Sequence, residues 1–284
     1  MRPVTVFAHM CPPYITVAAP LVKLSRGRLL LWYAHTGGSA ALRRAERLTD
    51  AVLTTFPGSY PGTSAKVRAI GQAIDTDQFR LQPGPPRTGP FRLVALGRTS
   101  VNKNYPVMIS AVKEARNRGV DVSLRIVGPS TTAAERANRL ELDQLIRTLD
   151  LGEVVTVESD IVHDRIPEAL AGAHALVNTT RSGSADKVVL EAMACGRPPL
   201  VSSAVFADLV DTGGPKLAFR ENDVDDLTNG IVRLAAAPAA ELDFLGAELR
   251  RRIEQRHSLG HWADEVVAIA SEGRAPPAAR SGRR

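Results

Sequence analysis

Short runs of apolar, β-branched residues alternate with longer amphipathic stretches along the middle of the chain. Each run is apolar throughout instead of at every second position, a pattern typical of strands buried on both faces of a sheet. The stretches between the runs repeat apolar side chains at helical spacing, as at Tyr105, Met108 and Val112. This alternation predicts a doubly wound parallel sheet. Its strands are predicted at 91–97, 122–128, 154–158, 174–180 and 198–203, and its helices at 105–117, 133–149 and 188–194.

Three more amphipathic segments follow the predicted sheet. Asp223 is placed to cap the first of them, and each segment carries one apolar face. We interpret these faces as part of the hydrophobic core and assign them no catalytic or binding role. Their residues are Val224, Leu227, Ile231 and Leu234 in the first segment, Leu242, Leu245, Leu249 and Ile253 in the second, and Trp262, Val266 and Ile269 in the third.

A smaller set of apolar runs precedes a segment at 80–90 that is dense in Pro and Gly. That segment excludes regular structure and is interpreted as an interdomain linker. The runs before it predict a small sheet with strands at 4–8, 28–34, 51–55 and 67–70 and a helix near 40–48. The predicted domains are therefore a small α/β unit at 1–88 and a complete α/β unit at 89–272, followed by a tail at 273–284.

Length and composition allow two domains with real cores and exclude several protein classes. The 284 residues are 44% hydrophobic. Two cysteines, Cys11 and Cys195, exclude a disulfide scaffold and a zinc site built from cysteines. An aromatic share of 5% argues against a base-stacking RNA surface, and no apolar run approaches the roughly 20 residues that span a bilayer. His9, Pro12 and Pro13 interrupt the continuous apolar core that a secretory signal would need in the first segment, so we expect a cytoplasmic protein. Given the low aromatic share, we expect no nucleic-acid partner.

The net charge of +6 is concentrated at the carboxyl end. Arg274, Arg280, Arg283 and Arg284 supply four of those charges among Pro, Ala and Gly, with no acidic residue between them. This composition predicts a disordered, solvated tail and a nearly neutral folded body. Contact of the tail with an anionic membrane or a nucleic acid is the alternative interpretation.

Ligands of a doubly wound sheet bind at the carboxyl ends of its strands, so the loops after each strand form the candidate site. Arg98 and Lys103 follow the first strand of the large sheet at the start of the next helix. Two cations and free helix amides at that place suit a diphosphate. Gly128 closes the second strand in a tight turn that lets a flat ring approach the backbone.

The loop after 174–180 provides the second half of the candidate site. Small residues up to Asp186 and Lys187 open a helix, whose first amides can bind an anion. Glu191 in the early turns of that helix can accept both hydroxyls of a ribose. The sequence contains neither GxGxxG nor GxxxxGK[ST], so we expect a nucleotide diphosphate that scattered loops bind.

Four segments resemble, in order and spacing, the donor-binding half of group-one glycosyltransferases, the retaining GT-B enzymes that include glycogen synthases and bacterial mannosyltransferases. They are VALGRTSVNKN, SLRIVGPS, LVNTTRSGSADKVVLEAMACGRPPLVSS and AFRENDVDDL. The resemblance covers nearly all of 51–271, and LEAMACGRP together with the Gly-Arg and Lys of the first loop is its most specific part. It implies an α/β protein of GT-B type with a complete C-terminal, donor-binding domain. The N-terminal domain would be a partial, Rossmann-like one.

The resemblance also implies roles for single residues. Arg98 and Lys103 would hold the donor diphosphate and act in catalysis, and Glu191 would bind the ribose. The backbone amides of Ser184 to Val188 would face the sugar and phosphates. His35, in WYAHTGGS, matches the family histidine beside the donor sugar and is the third catalytic candidate.

The chain departs from the family pattern at two places. Family members usually carry two glutamates separated by seven residues, the first of which contacts sugar hydroxyls. If Glu191 is the second, the first would be at Gly183, which has no side chain to make that contact. We hypothesise that Asp186 or Lys187, on the same loop, takes over the sugar contacts. The chain also starts near the fourth strand of the family's first domain, which a truncated reading frame or a natural fragment would explain. His9 matches a strand-end position on the acceptor side, although a structural imidazole is an equally open interpretation.

The sequence therefore predicts a glycosyltransferase that moves a sugar with retention from a nucleotide-sugar donor to a saccharide or lipid-linked acceptor. Group-one enzymes need no metal, so the resemblance implies neither a metal nor another cofactor. Family members that glycosylate lipids work at the cytoplasmic face of the membrane, which adds peripheral membrane contact to the expected partners. Two alternatives stay open. One is a truncated or degenerate relative that binds nucleotide sugar or a partner transferase without catalysis, and the other is an epimerase-like hydrolase of nucleotide sugars.

Overall fold

The computed structural model describes residues 4–159, 161–181 and 185–272 and contains two parallel sheets, each covered by helices. The predicted tail at 273–284 lies outside the described residues. Among the helices that are described, none is both long enough and apolar enough to cross a bilayer.

The first sheet has the strand order β1-β2-β3-β4, and all its strands run parallel. Its elements confirm the four predicted strands and the predicted helix: β1 (Thr5–His9), α1 (Pro12–Leu24), β2 (Arg28–Trp32), α2 (Ala40–Leu48), β3 (Ala51–Thr54) and β4 (Val67–Ala69). One face of β2 and β3 packs on α1 and α2 through Leu29, Leu31 and Val52. The opposite face, which includes Leu30 and Leu53, packs on the last helix of the chain.

Helix α1 is missing from the sequence prediction. Pro12 and Pro13 open it, where an absent backbone N–H costs nothing, but Pro20 lies inside it and argues against a helix. The helix is also apolar on both sides. Ile15, Ala19 and Val22 are buried, whereas Tyr14, Val17, Leu21 and Leu24 are exposed, so the sequence shows no one-sided pattern.

The second sheet has the strand order β7-β6-β5-β8-β9 and is also entirely parallel. All five strands lie where the sequence predicts them, within a few residues at the ends. The elements are β5 (Phe91–Leu96), α3 (Tyr105–Asn117), β6 (Val122–Val127), α4 (Ala133–Thr148), β7 (Val155–Glu158), α5 (Ile166–Ala171), β8 (Ala175–Asn178), α6 (Lys187–Ala194), β9 (Pro199–Val201) and α7 (Ala207–Val210). The fold class is thus confirmed as doubly wound α/β.

Three helices follow the second sheet: α8 (Val224–Ala236), α9 (Ala239–Arg256) and α10 (Leu259–Ser271). The Asp223 side chain caps α8 by accepting a hydrogen bond from the Asp226 amide at 2.8 Å, as predicted. The predicted apolar faces of α8 and α9 pack into the core of the second sheet. Trp262, Val266 and Ile269 of α10 pack instead on the first sheet, although the sequence interpretation assigns 89–272 to one domain. The physical reason is that the open face of the first sheet offers α10 a matching apolar surface.

The chain passes between the two sheets twice, and the two passages lie side by side. The Ile74 amide donates to the His257 carbonyl at 2.7 Å, and the Leu259 amide donates to the Ile74 carbonyl at 2.8 Å. The Pro- and Gly-rich segment at 80–90 contains no helix or strand. The guanidinium of Arg197 binds the carbonyls of Gln82 and Pro83, so the protein holds this segment against the second sheet.

Candidate functional site

The order of strands in the second sheet creates a crevice between β5 and β8. The chain continues from β5 to β6 and β7 on one side and to β8 and β9 on the other side, so the connections diverge here. Such a switch point is where ligands bind in doubly wound sheets. The loop at 97–104 and, on the other side, residues 179–181 and 185–186 border this crevice.

Two glycines shape the loop after β5. A Cβ atom on Gly128 would lie 1.9 Å from the Gly97 carbonyl oxygen, so the loops after β5 and β6 touch through their backbones. The Gly97 carbonyl thus explains why residue 128 is a glycine. The approach of a ligand ring to the Gly128 backbone, which is expected from the sequence, stays a prediction. Gly97 itself has a φ of +141°, which favours glycine, and a Cβ atom there would lie 2.7 Å from Cε of Lys103.

The ammonium group of Lys103 is held by a half-buried carboxylate. Lys103 Nζ lies 2.8 Å from Asp186 Oδ2, and each of the two side chains is 17% exposed. The same oxygen accepts hydrogen bonds from Asn178 Nδ2 at 2.8 Å and from Thr180 Oγ1 at 2.5 Å. Burial pushes the pKa of Asp186 upward, but the Lys103 charge and these hydrogen bonds outweigh it and lower the pKa. We call Lys103, Asn178, Thr180 and Asp186 the switch-point cluster.

The backbones of the two bordering segments are also joined. The Thr179 hydroxyl donates to the Lys103 carbonyl at 2.7 Å, and the Arg181 amide donates to the Asn102 carbonyl at 2.9 Å. Asn104, at a φ of +53°, directly precedes α3 and donates from Nδ2 to Asn222 Oδ1 at 2.8 Å. The two segments are therefore hydrogen-bonded to each other across the crevice, and the first turns of α3 and α6 begin at its border.

Arg98 extends toward solvent at the border of the crevice. Its side chain is 64% exposed, and Nη1 lies 3.2 Å from Glu135 Oε1. Glu135 forms the capping box of α4, in which it also accepts hydrogen bonds from the Thr131 hydroxyl and the Thr132 amide. The Thr131 and Thr132 hydrogen bonds, with a smaller effect of Arg98, lower the pKa of Glu135 to about 2. Arg98 thus faces a carboxylate that stays ionised.

The remaining predicted residues on the second sheet lie along α6. Glu191 is 3% exposed, and its Oε1 lies 3.6 Å from Nζ of the exposed Lys187. Burial raises the pKa of Glu191, against the opposing charges of Lys187 and His163. Val188 is half-buried in the first turn of α6. Ser184, together with Gly183, lies outside the described residues.

The two predicted histidines lie at the carboxyl edge of the first sheet. His9 ends β1 and stacks on Trp32, with ring centroids 6.4 Å apart. His35 follows β2 and is exposed, and its Nδ1 accepts a hydrogen bond from the Gly37 amide at 2.7 Å. Across the described part of the chain, no hydrogen bond or ion pair connects His35 with Arg98 or the switch-point cluster. Its assignment beside a donor sugar stays a prediction.

Sequence reasoning missed the residues that organise the switch-point cluster. Asn178 and Thr180 come directly after a short apolar strand, and this change from apolar to polar is a signal that could have found them. The contact between Lys103 and Asp186 has no signal of its own, because the two residues are 83 positions apart. No group of three or more His, Cys, Asp or Glu side chains within the described ranges is arranged to hold a metal ion.

The geometry suits a ligand that carries several negative charges. An ammonium group, a guanidinium group and the N-terminal turns of two helices surround the crevice. A family model described as "Glycosyl transferases group 1" matches residues 90–237, which are more than half of the chain and include this crevice. The chain belongs to the group 1 glycosyl transferases.

Curated relatives in the group 1 family match the chain at modest identity. A GDP-mannose-dependent alpha-(1-6)-phosphatidylinositol monomannoside mannosyltransferase of Mycolicibacterium smegmatis is 28% identical over 247 residues, which cover 78% of this chain and 62% of the relative. A D-inositol 3-phosphate glycosyltransferase of Catenulispora acidiphila is 29% identical over 60% of this chain and 43% of its own length. The chain thus spans less than two thirds of these relatives.

Solved structures confirm the GT-B fold. Sucrose-phosphate synthase from Thermosynechococcus elongatus aligns with a TM-score of 0.77 at 20% identity, over 94% of this chain and 72% of its own. Anabaena Alr3699/HepE in complex with UDP aligns with a TM-score of 0.80 at 17% identity, over 94% of this chain and 78% of its own. At these identities the likeness concerns the fold.

Proposed function

We propose that this group 1 glycosyl transferase moves a sugar from a nucleotide-sugar donor to a saccharide or lipid-linked acceptor, with retention and without a metal ion. The observation that carries the proposal is Lys103 at the switch point, beside the starts of α3 and α6. The family's donor half, the bound UDP of a structural neighbour and the GDP-mannose named for a relative support a nucleotide diphosphate as the ligand.

The reaction would use the charges of the crevice at the moment of bond breaking. A retaining transfer builds positive charge on the sugar and negative charge on the departing diphosphate. Lys103 and Arg98, with the amides of the helix starts, would stabilise the departing diphosphate, where that charge develops. Glu191 would bind the ribose hydroxyls from α6, and His35 would approach the donor sugar from the first sheet.

Donor binding is tested first, because it does not depend on the acceptor. We expect one nucleotide series among GDP-mannose, UDP-glucose and ADP-glucose to raise the melting temperature in a thermal-shift panel. GDP, UDP and ADP alone serve as controls for the contribution of the sugar. If no member of the panel shifts the transition at millimolar concentration, nucleotide-sugar binding is refuted.

Transfer is tested next with the donor that binds. Radiolabelled donor is incubated with saccharide acceptors and with phosphatidylinositol mannoside, in the presence and absence of EDTA, and the anomeric configuration of the product is read by NMR. Retention and unchanged turnover in EDTA are the expected results. An inverted product or loss of activity in EDTA contradicts the corresponding part of the proposal.

A nucleotide-sugar binder without catalysis is the second candidate. Protein carboxylates, Asp186 and Glu135, already engage both predicted diphosphate cations in this structure, which favours a site that binds weakly or does not react. Donor binding without any transfer or donor hydrolysis would support this candidate over the transferase.

A further inference from the structure

The position of Asp186 at the start of α6 does not explain the hydrogen bonds that its carboxylate makes. Asp186 occupies the N-cap position of α6, where an aspartate ordinarily accepts a hydrogen bond from the first turn. Ser39, Thr132 and Asp223 do so at the starts of α2, α4 and α8. Within the described residues, the Asp186 carboxylate makes no such bond and turns toward β5 and β8 instead. Its side chain therefore serves something other than the helix.

One oxygen of this carboxylate is saturated by the protein. Asp186 Oδ2 accepts from Lys103, Asn178 and Thr180, as described above for the switch-point cluster. An oxygen with three donors has no capacity left for a sugar hydroxyl, whereas the second carboxylate oxygen, Oδ1, keeps its own acceptor capacity. The contacts thus commit Oδ2 to Lys103 and its neighbours and leave only Oδ1 for the sugar contact that the sequence hypothesis gives to Asp186.

Lys103 is fixed at both of its ends. Its carbonyl accepts a hydrogen bond from Thr179, and its ammonium group is bound by Asp186. Between these points the side chain passes over Gly97, where a Cβ atom would obstruct Cε at 2.7 Å. A lysine normally samples many rotamers, so these three contacts place one ammonium group at one location.

We propose that Asp186 is a positioning residue, which acts through its ion pair to hold the Lys103 ammonium at the switch point for the departing diphosphate. This inference rests on the proposed glycosyl transfer. A cation that is already in place when charge develops stabilises the transition state without reorganising. Asp186 would therefore raise kcat, whereas a residue that contacts sugar would strengthen binding of the sugar-bearing donor.

The Asp186→Asn variant separates the two roles. The amide keeps the size of the side chain and an oxygen acceptor for Asn178 and Thr180, but it removes the charge that holds Lys103. We expect kcat to fall about 10- to 100-fold. Binding of the nucleoside diphosphate, measured by calorimetry, should stay the same or tighten by up to about fivefold, because a negative charge leaves the anion site.

Two further variants distinguish positioning from a structural effect. In the Lys103→Ala background, Asp186→Asn should reduce kcat by less than about threefold, because the residue through which it acts is gone. Asp50→Asn is the matched control, since Asp50, just before β3, pairs with Lys23 of α1 at 2.7 Å, and it should leave kcat unchanged. If the two substitutions at the site reduce kcat multiplicatively, or if Asp186→Asn weakens the nucleotide sugar but not the nucleoside diphosphate, the inference is overturned.

A measurement without turnover keeps the inference separate from the proposed function. Acetylation of Lys103 by a small activated acetyl ester, which transfers its acetyl group to the amine and releases the leaving group, is followed by peptide mass spectrometry. It should be slow in the parent protein and at least about fivefold faster in Asp186→Asn. Asp50→Asn should leave the Lys103 rate unchanged. Equal rates in the parent and Asp186→Asn would overturn the positioning role even if the protein transfers sugar. A protein that shows the rate difference but transfers no sugar would refute the proposed function alone.

Discussion

At the residue scale, two glycines shape the crevice as much as the charged residues do. Gly97 and Gly128 let two loops meet through their backbones, and Gly97 also leaves a path for the Lys103 side chain. The sequence shows both glycines and the lysine, but not that the three belong together. Their relation follows from β5 and β6 being neighbours in the sheet.

The first prediction concerns Lys103. Replacing it with alanine should lower kcat by about 10²- to 10³-fold, because a preorganised cation at the departing diphosphate is lost. The effect on the free energy of unfolding should be smaller than the effect on the activation free energy of transfer, because water at the border of the crevice can hydrate Asp186. Steady-state kinetics and urea unfolding measure the two effects, with Lys23→Ala as the control for loss of a lysine paired with an aspartate. A variant that transfers sugar at the parent rate would refute the assignment.

The second prediction concerns the contact between the loops. Gly128→Ala should lower the free energy of unfolding by about 1–3 kcal/mol, because its Cβ meets a carbonyl oxygen that only a backbone shift can move. Donor affinity should fall with it, since any shift of Gly97 disturbs the backbone over which the Lys103 side chain passes. Urea unfolding and calorimetry test this. Gly152→Ala, where a Cβ meets nothing within 4 Å, should change the stability by less than about 0.5 kcal/mol.

At the scale of elements, periodicity identifies helices whose apolar residues lie on one face, and it misses α1, whose apolar residues lie on both its buried and its exposed face. Helices α3, α8 and α9 each carry a single apolar stripe, and all three lie where the sequence predicts them. Helix α1 has apolar residues on its buried and its exposed side, with a proline between them. Burial of its inner face against β2 stabilises a helix that its local sequence does not favour.

The third prediction follows from that conflict. Pro20→Ala should raise the free energy of unfolding by about 1–3 kcal/mol, because alanine supplies the N–H that proline lacks within α1. The Pro20 side chain is exposed, so little packing is lost. Urea unfolding measures the change. Pro13→Ala, in the first turn, should alter the stability by less than about 0.5 kcal/mol, and equal effects of the two substitutions would contradict the explanation.

At the scale of the whole molecule, two sheets are joined where the chain crosses between them. The His257 carbonyl binds the first crossing at Ile74, and its ring lies 5.0 Å from that of Phe56. Helix α10 then returns to the first sheet and covers its second face. The relative placement of the sheets thus depends on a buried junction that includes a titratable ring.

The fourth prediction concerns the pH dependence of this junction. Burial, with the nearby His261 and Arg256 charges acting in the same direction, lowers the pKa of His257 to about 4. Between the ordinary value of about 6.5 and pH 4, the unfolded chain therefore binds a proton that the folded protein does not. The free energy of unfolding should fall as the pH drops through this window, by at most ~1.4 kcal/mol per pH unit from this residue.

The variant His257→Phe isolates that contribution. Phenylalanine keeps a ring beside Phe56 but cannot take up a proton, so the stability should depend less steeply on pH between 6.5 and 4. Urea unfolding of the parent and the variant at half-unit pH intervals provides the comparison. Parallel curves for the two proteins would show that His257 does not carry the predicted acid sensitivity.

The sequence alone determined the class of fold, the positions of nine strands and the family. Continuous apolar runs, helical spacing and the motif around Glu191 are local properties, and each is visible within about 20 residues. The same local signals placed Arg98, Lys103 and Asp186 on loops after strands, because parallel strands put all such loops at one edge.

Tertiary structure decided which partner each of these residues has. Lys103 meets Asp186, Gly128 meets the Gly97 carbonyl, and α10 covers the first sheet, all through neighbours that are distant along the chain. These contacts follow from the order of strands and from the way the apolar faces combine, which no local pattern encodes. A charge can be located in a sequence, but its partner is fixed when the packed core brings two loops to the same place.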